Sequence, residues 1–161
     1  MKALLVVPAL LAIGGGALVY ADISKNTPGA VCVATSGALT VTNNGGAGNA
    51  STTTSATALC SIDRDIAPTV TTSVSATVWA IDQHPSTSLC CTLYTAYNGS
   101  TIAGDHVCLS GASSSVRTIS LNTSTPLVAP GTFWTFFVSC TVPPTSAGAQ
   151  SSIAAYRGVL Q

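Results

Sequence analysis

The chain is 161 residues long and carries five Lys or Arg against five Asp, with no Glu, so that only 6% of it is charged. This balance excludes a nucleic-acid partner, which needs a basic face that scattered cations cannot build. Serine and threonine exceed a quarter of the residues and give an uncharged polar surface, while valine, isoleucine and aromatics remain frequent enough for a β core rather than disorder.

The first 21 residues read as a secretory signal peptide. Lys2 precedes an apolar run over residues 3–21, and Val19 and Ala21 place small side chains at the −3 and −1 positions of a cut before Asp22. No cysteine follows that cut, which argues against a lipid anchor. The run is also just long enough for an uncleaved membrane anchor, the one route by which a membrane would be involved. Either way residues 22–161 are expected to form a single domain in an extracellular or periplasmic space.

In such a compartment an even number of cysteines reads as disulfides, and Cys32, Cys60, Cys90, Cys91, Cys108 and Cys140 make three bridges. No Cys-x-x-Cys pair points to a metal. Cys90 and Cys91 are adjacent, so in a strand they face opposite ways and take different partners.

Residues 22–30 are a polar lead-in, followed by short strands over 31–34 and 38–42 around Ser36-Gly37. Residues 43–54, rich in Asn, Gly, Ser and Thr, are expected to be a flexible loop with nothing to bury. A strand over 56–62 carries Cys60, after which Asp63-Arg64-Asp65 and Pro68 interrupt. Residues 70–82 alternate, with Val74, Ala76, Val78 and Ala80 on one face and Ser or Thr on the other, until Trp79 and Ile81 break the polar face. Trp79 is therefore either covered or exposed in a contact patch.

Asn98-Gly99 is a strong hairpin signal between strands over 89–97 and 101–109. A three-residue loop sets Tyr97 opposite Thr101 and hence Cys90 opposite Cys108. Cys91 then faces the space between sheets, where Cys140 on a later strand meets it, and Cys32 and Cys60 remain as the third pair. Strands over 116–121, 132–142 and 153–160 complete about nine, predicting an all-β antiparallel sandwich, Ig-like or jelly-roll-like.

Two His–Asp neighbours, His84 with Asp82 and His106 with Asp105, are the only material for a small secreted hydrolase, and no Gly-x-Ser-x-Gly accompanies them. We expect no catalytic residue and no cofactor. Asp63 and Asp65 are weak calcium candidates, to which Asp82 and Asp105 could add oxygens; the simpler reading is turn-capping. Trp79, Tyr94, Tyr97, Phe133 and Phe137 could form an aromatic strip for sugars or a partner protein, with Trp79 the leading candidate. Asn49, Asn98 and Asn122 begin glycosylation sequons of a kind that so much Ser and Thr produces by chance.

The stretches Cys60-Ser61-Ile62-Asp63-Arg64-Asp65, Val78-Trp79-Ala80-Ile81-Asp82, Cys90-Cys91 and Phe137-Val138-Ser139-Cys140-Thr141-Val142-Pro143-Pro144 resemble a type of small secreted bacterial protein with no assigned function. The resemblance implies a β-sandwich and no activity. The expected role is a non-enzymatic extracellular binding or structural module, with a glycan or a surface protein as partner. A self-assembling surface or matrix subunit is the alternative from another class.

Overall fold

The computed structural model describes residues 25–62, 73–97, 99–123 and 134–160. The strands there are β1 (Lys25–Pro28), β2 (Val33–Ser36), β3 (Leu39–Val41), β4 (Ala47–Asn49), β5 (Ala56–Ile62) and β6 (Val74–Ile81). They continue as β7 (Cys90–Tyr97), β8 (Ser100–Cys108), β9 (Arg117–Thr123), β10 (Trp134–Val142) and β11 (Ser152–Leu160), with one 3-10 turn at Gly29–Val31. No helix among the described residues is long and apolar enough to cross a membrane. The expected signal segment, Asp63, Asp65, Asn98 and Phe133 lie outside the described residues.

Two antiparallel sheets form a sandwich. One runs β3-β4-β11-β6-β9, with β1 also paired to β11, and the other runs β2-β5-β10-β7-β8. Alternation decides which face each strand buries: along β6, Val74, Ala76, Val78 and Ala80 are buried while the intervening residues are partly exposed. Ile119, Leu121, Ile153 and Tyr156 complete that sheet's inner face, opposed by Ala58, Cys60, Leu93, Phe136, Val138 and Val142 of the other. Burying each of the larger of these, such as Leu121 or Val138, contributes about 1.5–3 kcal/mol. At Gly158 a Cβ would run into Ile62, so the sheets close there only because no side chain intervenes. Gly37, at φ 69°, lets the chain pass from β2 in one sheet to β3 in the other, close against Ala56.

Eleven strands among the described residues replace the nine expected, and both additions correct the sequence reading. The lead-in contributes β1, whose Lys25–Pro28 pairs with Gly158–Ala155. The Asn/Gly segment 43–54 is not a loop with nothing to bury: residues 46–49 are buried, β4 pairs on one side with β3 and on the other with β11, and Ala30 N–H donates to Gly45 O. Asn49, fully buried, donates through Nδ2 to Thr54 O and Val142 O and accepts from Ser51 N–H. A sequon asparagine held in this way is closed to glycosylation in the folded chain.

The hairpin also differs in register. Tyr97 pairs with Ser100, not Thr101, and a bulge after Thr92, which faces His106, adds the residue that restores Cys90 opposite Cys108. The structure joins Cys90 to Cys108, Cys91 to Cys140 and Cys32 to Cys60. The first two are direct cross-strand partners, so Cys91–Cys140 lies within one sheet on its core side. Three disulfides fit an oxidising, extracytoplasmic compartment.

Candidate functional site

The outer face of the β11-β6-β9 side of the first sheet carries a groove of about 440 Å³. Its floor is apolar, made by Ile81 of β6, Val116 just before β9, and Ala154, the residue bulged out of β11 opposite β6. The β3–β4 hairpin raises one wall through residues 41–44. That wall is held in place: Thr42 N–H donates to Gly46 O, Gly45 N–H to Thr42 O, and Gly46 N–H to Thr42 Oγ1.

One end of the groove is built of amides and hydroxyls. Gln83 Nε2 donates to Gln150 O at 3.0 Å, and Gln150 Nε2 to Thr40 Oγ1 at 3.1 Å. Behind them sits Asp82, fully buried at the end of β6. Its Oδ2 accepts from Leu89 N–H at 2.8 Å, and its Oδ1 from Ser151 Oγ and His84 N–H, each at 3.2 Å. Ser151 Oγ in turn accepts from Gln83 N–H at 3.0 Å. A buried carboxylate with no such donors would be costly; here it ties the loop after β6 to the residues before β11 and so sets where Gln83 and Gln150 stand.

Trp79 lies on the same outer face, two residues before Ile81 and therefore about 6–7 Å further along β6. It is partly buried, with the Arg157 guanidinium 5.9 Å from its ring centroid. Amide rim, apolar floor and indole thus follow one another along a single sheet face. Charge is nearly absent from it: along β6, β9 and β11, Arg157 is the one charged side chain on this face among the described residues.

The aromatic strip does not form as one surface. Tyr94 stacks on Phe137 at 5.2 Å on the outer face of the second sheet, where Tyr94 and Phe137 are cross-strand partners. Tyr97 stacks on Trp134 at 4.6 Å where β7 and β10 meet at the end of the sandwich, and Trp134 packs partly against the core.

Neither His–Asp neighbour makes a base with its orienting carboxylate. His84 Nδ1 accepts from Ser86 N–H and Thr87 N–H, capping a turn, while Asp82 meets His84 through the backbone N–H and not the ring. Asp105 Oδ2 accepts from Asn122 N–H, linking edge strands β8 and β9, and the His106 ring instead lies between Thr92 and Cys108. Asp82 and Asp105 are therefore each engaged with backbone N–H groups rather than gathered as cation ligands. Cys90, Cys108 and His106 do converge, but both sulfurs belong to one disulfide, which leaves only the imidazole as a ligand.

No protein-family model and no curated protein matches the sequence. Among solved structures, the fold is similar to a CBM35 from Cellvibrio japonicus Abf62, at a TM-score of 0.50 and 13% identity, with 84% of this chain and 92% of that chain covered. It is also similar to the GH26-CBM35 β-(1,4)-mannanase of Podospora anserina, at a TM-score of 0.50 and 10% identity over 88% of this chain. This chain spans 28% of the mannanase's length. At such identities the likeness is one of fold.

Proposed function

We propose that the chain is a secreted, non-enzymatic carbohydrate-binding module whose site is the outer-face groove together with Trp79. The observation that carries this reading is the sequence of chemistries along one sheet face: an amide and hydroxyl rim, an apolar floor, then an indole. A sugar ring presents both a C–H face that packs on apolar or aromatic surface and hydroxyls that need paired donors and acceptors. Uncharged amides supply the latter without the desolvation cost of ions. The sandwich likeness to CBM35 modules and the sparse charge of the chain support the same reading. The expected signal peptide and the three disulfides agree with work outside the cell.

An array of plant, fungal and bacterial polysaccharides tests it. Retention on at least one, weakened about tenfold or more by Trp79→Ala with unchanged thermal unfolding, supports the site. Retention on none, or retention that Trp79→Ala does not alter, counts against it.

Self-association is a second reading, favoured by exposed valines on two edge strands: Val33 of β2 is 64% exposed and Val41 of β3 is 70%. Sedimentation at high concentration separates it, since an assembling subunit gives species larger than the monomer.

A further inference from the structure

We propose that the Cys90–Cys108 bridge is a thiol–disulfide exchange site, opened by a dithiol reductant with His106 assisting departure of the Cys108 sulfur. The proposal is independent of the carbohydrate reading. It begins from access. Cys60, Cys91 and Cys140 are fully buried and Cys32 is 8% exposed, so two of the bridges lie within the core. Cys108 is exposed on edge strand β8 and Cys90 is half-buried beside it.

The second observation is the group set next to the bridge. Alternation turns Cys90 and Thr92 of β7, and His106 and Cys108 of β8, to one outward face, and the register pairs Cys90 with Cys108 and Thr92 with His106. His106 Nε2 lies 3.4 Å from Cys108 Sγ, and Nδ1 lies 2.7 Å from Thr92 Oγ1. A disulfide sulfur has no hydrogen to give, so the Nε2 contact is a hydrogen bond only when Nε2 carries the proton. In the neutral ring Thr92 then donates to Nδ1; in the imidazolium it accepts. Thr92 is thus a positioning residue that holds an N–H against the sulfur.

One thiolate of the dithiol attacks Cys90 Sγ and forms a mixed disulfide, while the Cys90–Cys108 bond breaks and its electron pair leaves on Cys108 Sγ. The Nε2–H stabilises that thiolate, and from the imidazolium its proton passes to the sulfur, making Cys108 the better leaving group. The second thiol of the reductant, as thiolate, then attacks its own sulfur in the mixed disulfide. The reductant departs as a cyclic disulfide and Cys90 takes a proton from solvent. Two electrons pass from the dithiol to the bridge.

The full chain, treated with dithiothreitol under native conditions, quenched with iodoacetamide and mapped by peptide mass, tests this. Cys90 and Cys108 are expected to be alkylated first, with the other four cysteines still bridged. His106→Gln slows the opening of this bridge at least about tenfold. Thr92→Val slows it too, and Thr92→Ser restores it, as a lost hydroxyl donor requires and a merely structural change would not. In unmutated protein, trapping with glutathione places the mixed disulfide on Cys90. Simultaneous opening of all three bridges, an unchanged rate in His106→Gln, or glutathione on Cys108 would overturn the proposal, and the first and last need no variant.

Discussion

Asp82→Ala removes the shared acceptor of three donors from the interior. The Leu89 N–H bond, short at 2.8 Å and buried, is a bond to a charged group of the kind that contributes about 1.5–3 kcal/mol. The two bonds at 3.2 Å, from Ser151 Oγ and His84 N–H, add about 1 kcal/mol each. The expected destabilisation is about 3.5–5 kcal/mol, larger than a lost surface contact because a buried N–H is left without a partner. Urea unfolding followed by tryptophan fluorescence reads it: with a slope of about 2 kcal/mol/M, the midpoint falls by about 2 M and the slope stays unchanged. Asp82→Asn keeps one acceptor oxygen and loses roughly half as much. A midpoint shift under about 0.5 M for Asp82→Ala would mean that desolvation of the carboxylate offsets its three bonds, and would refute the role assigned to it.

Thr95 is fully buried and its Oγ1 has no hydrogen-bond partner among the described residues, so Thr95→Val is expected to stabilise the chain by about 1–2 kcal/mol in the same assay. Gly158→Ala, which drives a Cβ into Ile62, destabilises by about 1–3 kcal/mol. Combined with Ile62→Ala, it costs less than the two single changes added together, and a double-mutant cycle measures that coupling; strict additivity would show that the contact is not what excludes the side chain.

The all-β alternation was legible because β6 and β10 bury every second residue, and the same parity carries one signal that went unread. Asp82 continues the buried register of Val74, Ala76, Val78 and Ala80, so its burial, and hence a need for several donors, follows from the pattern that located the strand. The segment holding β4 was opaque for the opposite reason. Periodicity is detected through large apolar side chains, and at Gly46, Ala47 and Gly48 the backbone packs too closely for any: a Cβ on Gly48 would crowd Gln150 and Thr42. Counting along the Asn98-Gly99 hairpin reached Cys108 through two offsetting errors, a turn one residue too long and a bulge whose extra residue lies in β8 at Gly104-Asp105, where a glycine inside a strand was the mark to read. The groove could not be read from the sequence, because its floor and rim come from four separate segments that only sheet pairing brings together.

The proposed binding site is tested most directly by titrating the isotope-labelled chain, in two-dimensional amide NMR, with the oligosaccharides of whichever polysaccharide retains it. The account predicts shift changes concentrated at Gln83, Val116, Ser152, Ala154 and the Trp79 indole N–H, saturating with ligand. Changes centred instead on Tyr94 and Phe137, on the opposite sheet, or no change with any saccharide tested, would contradict it.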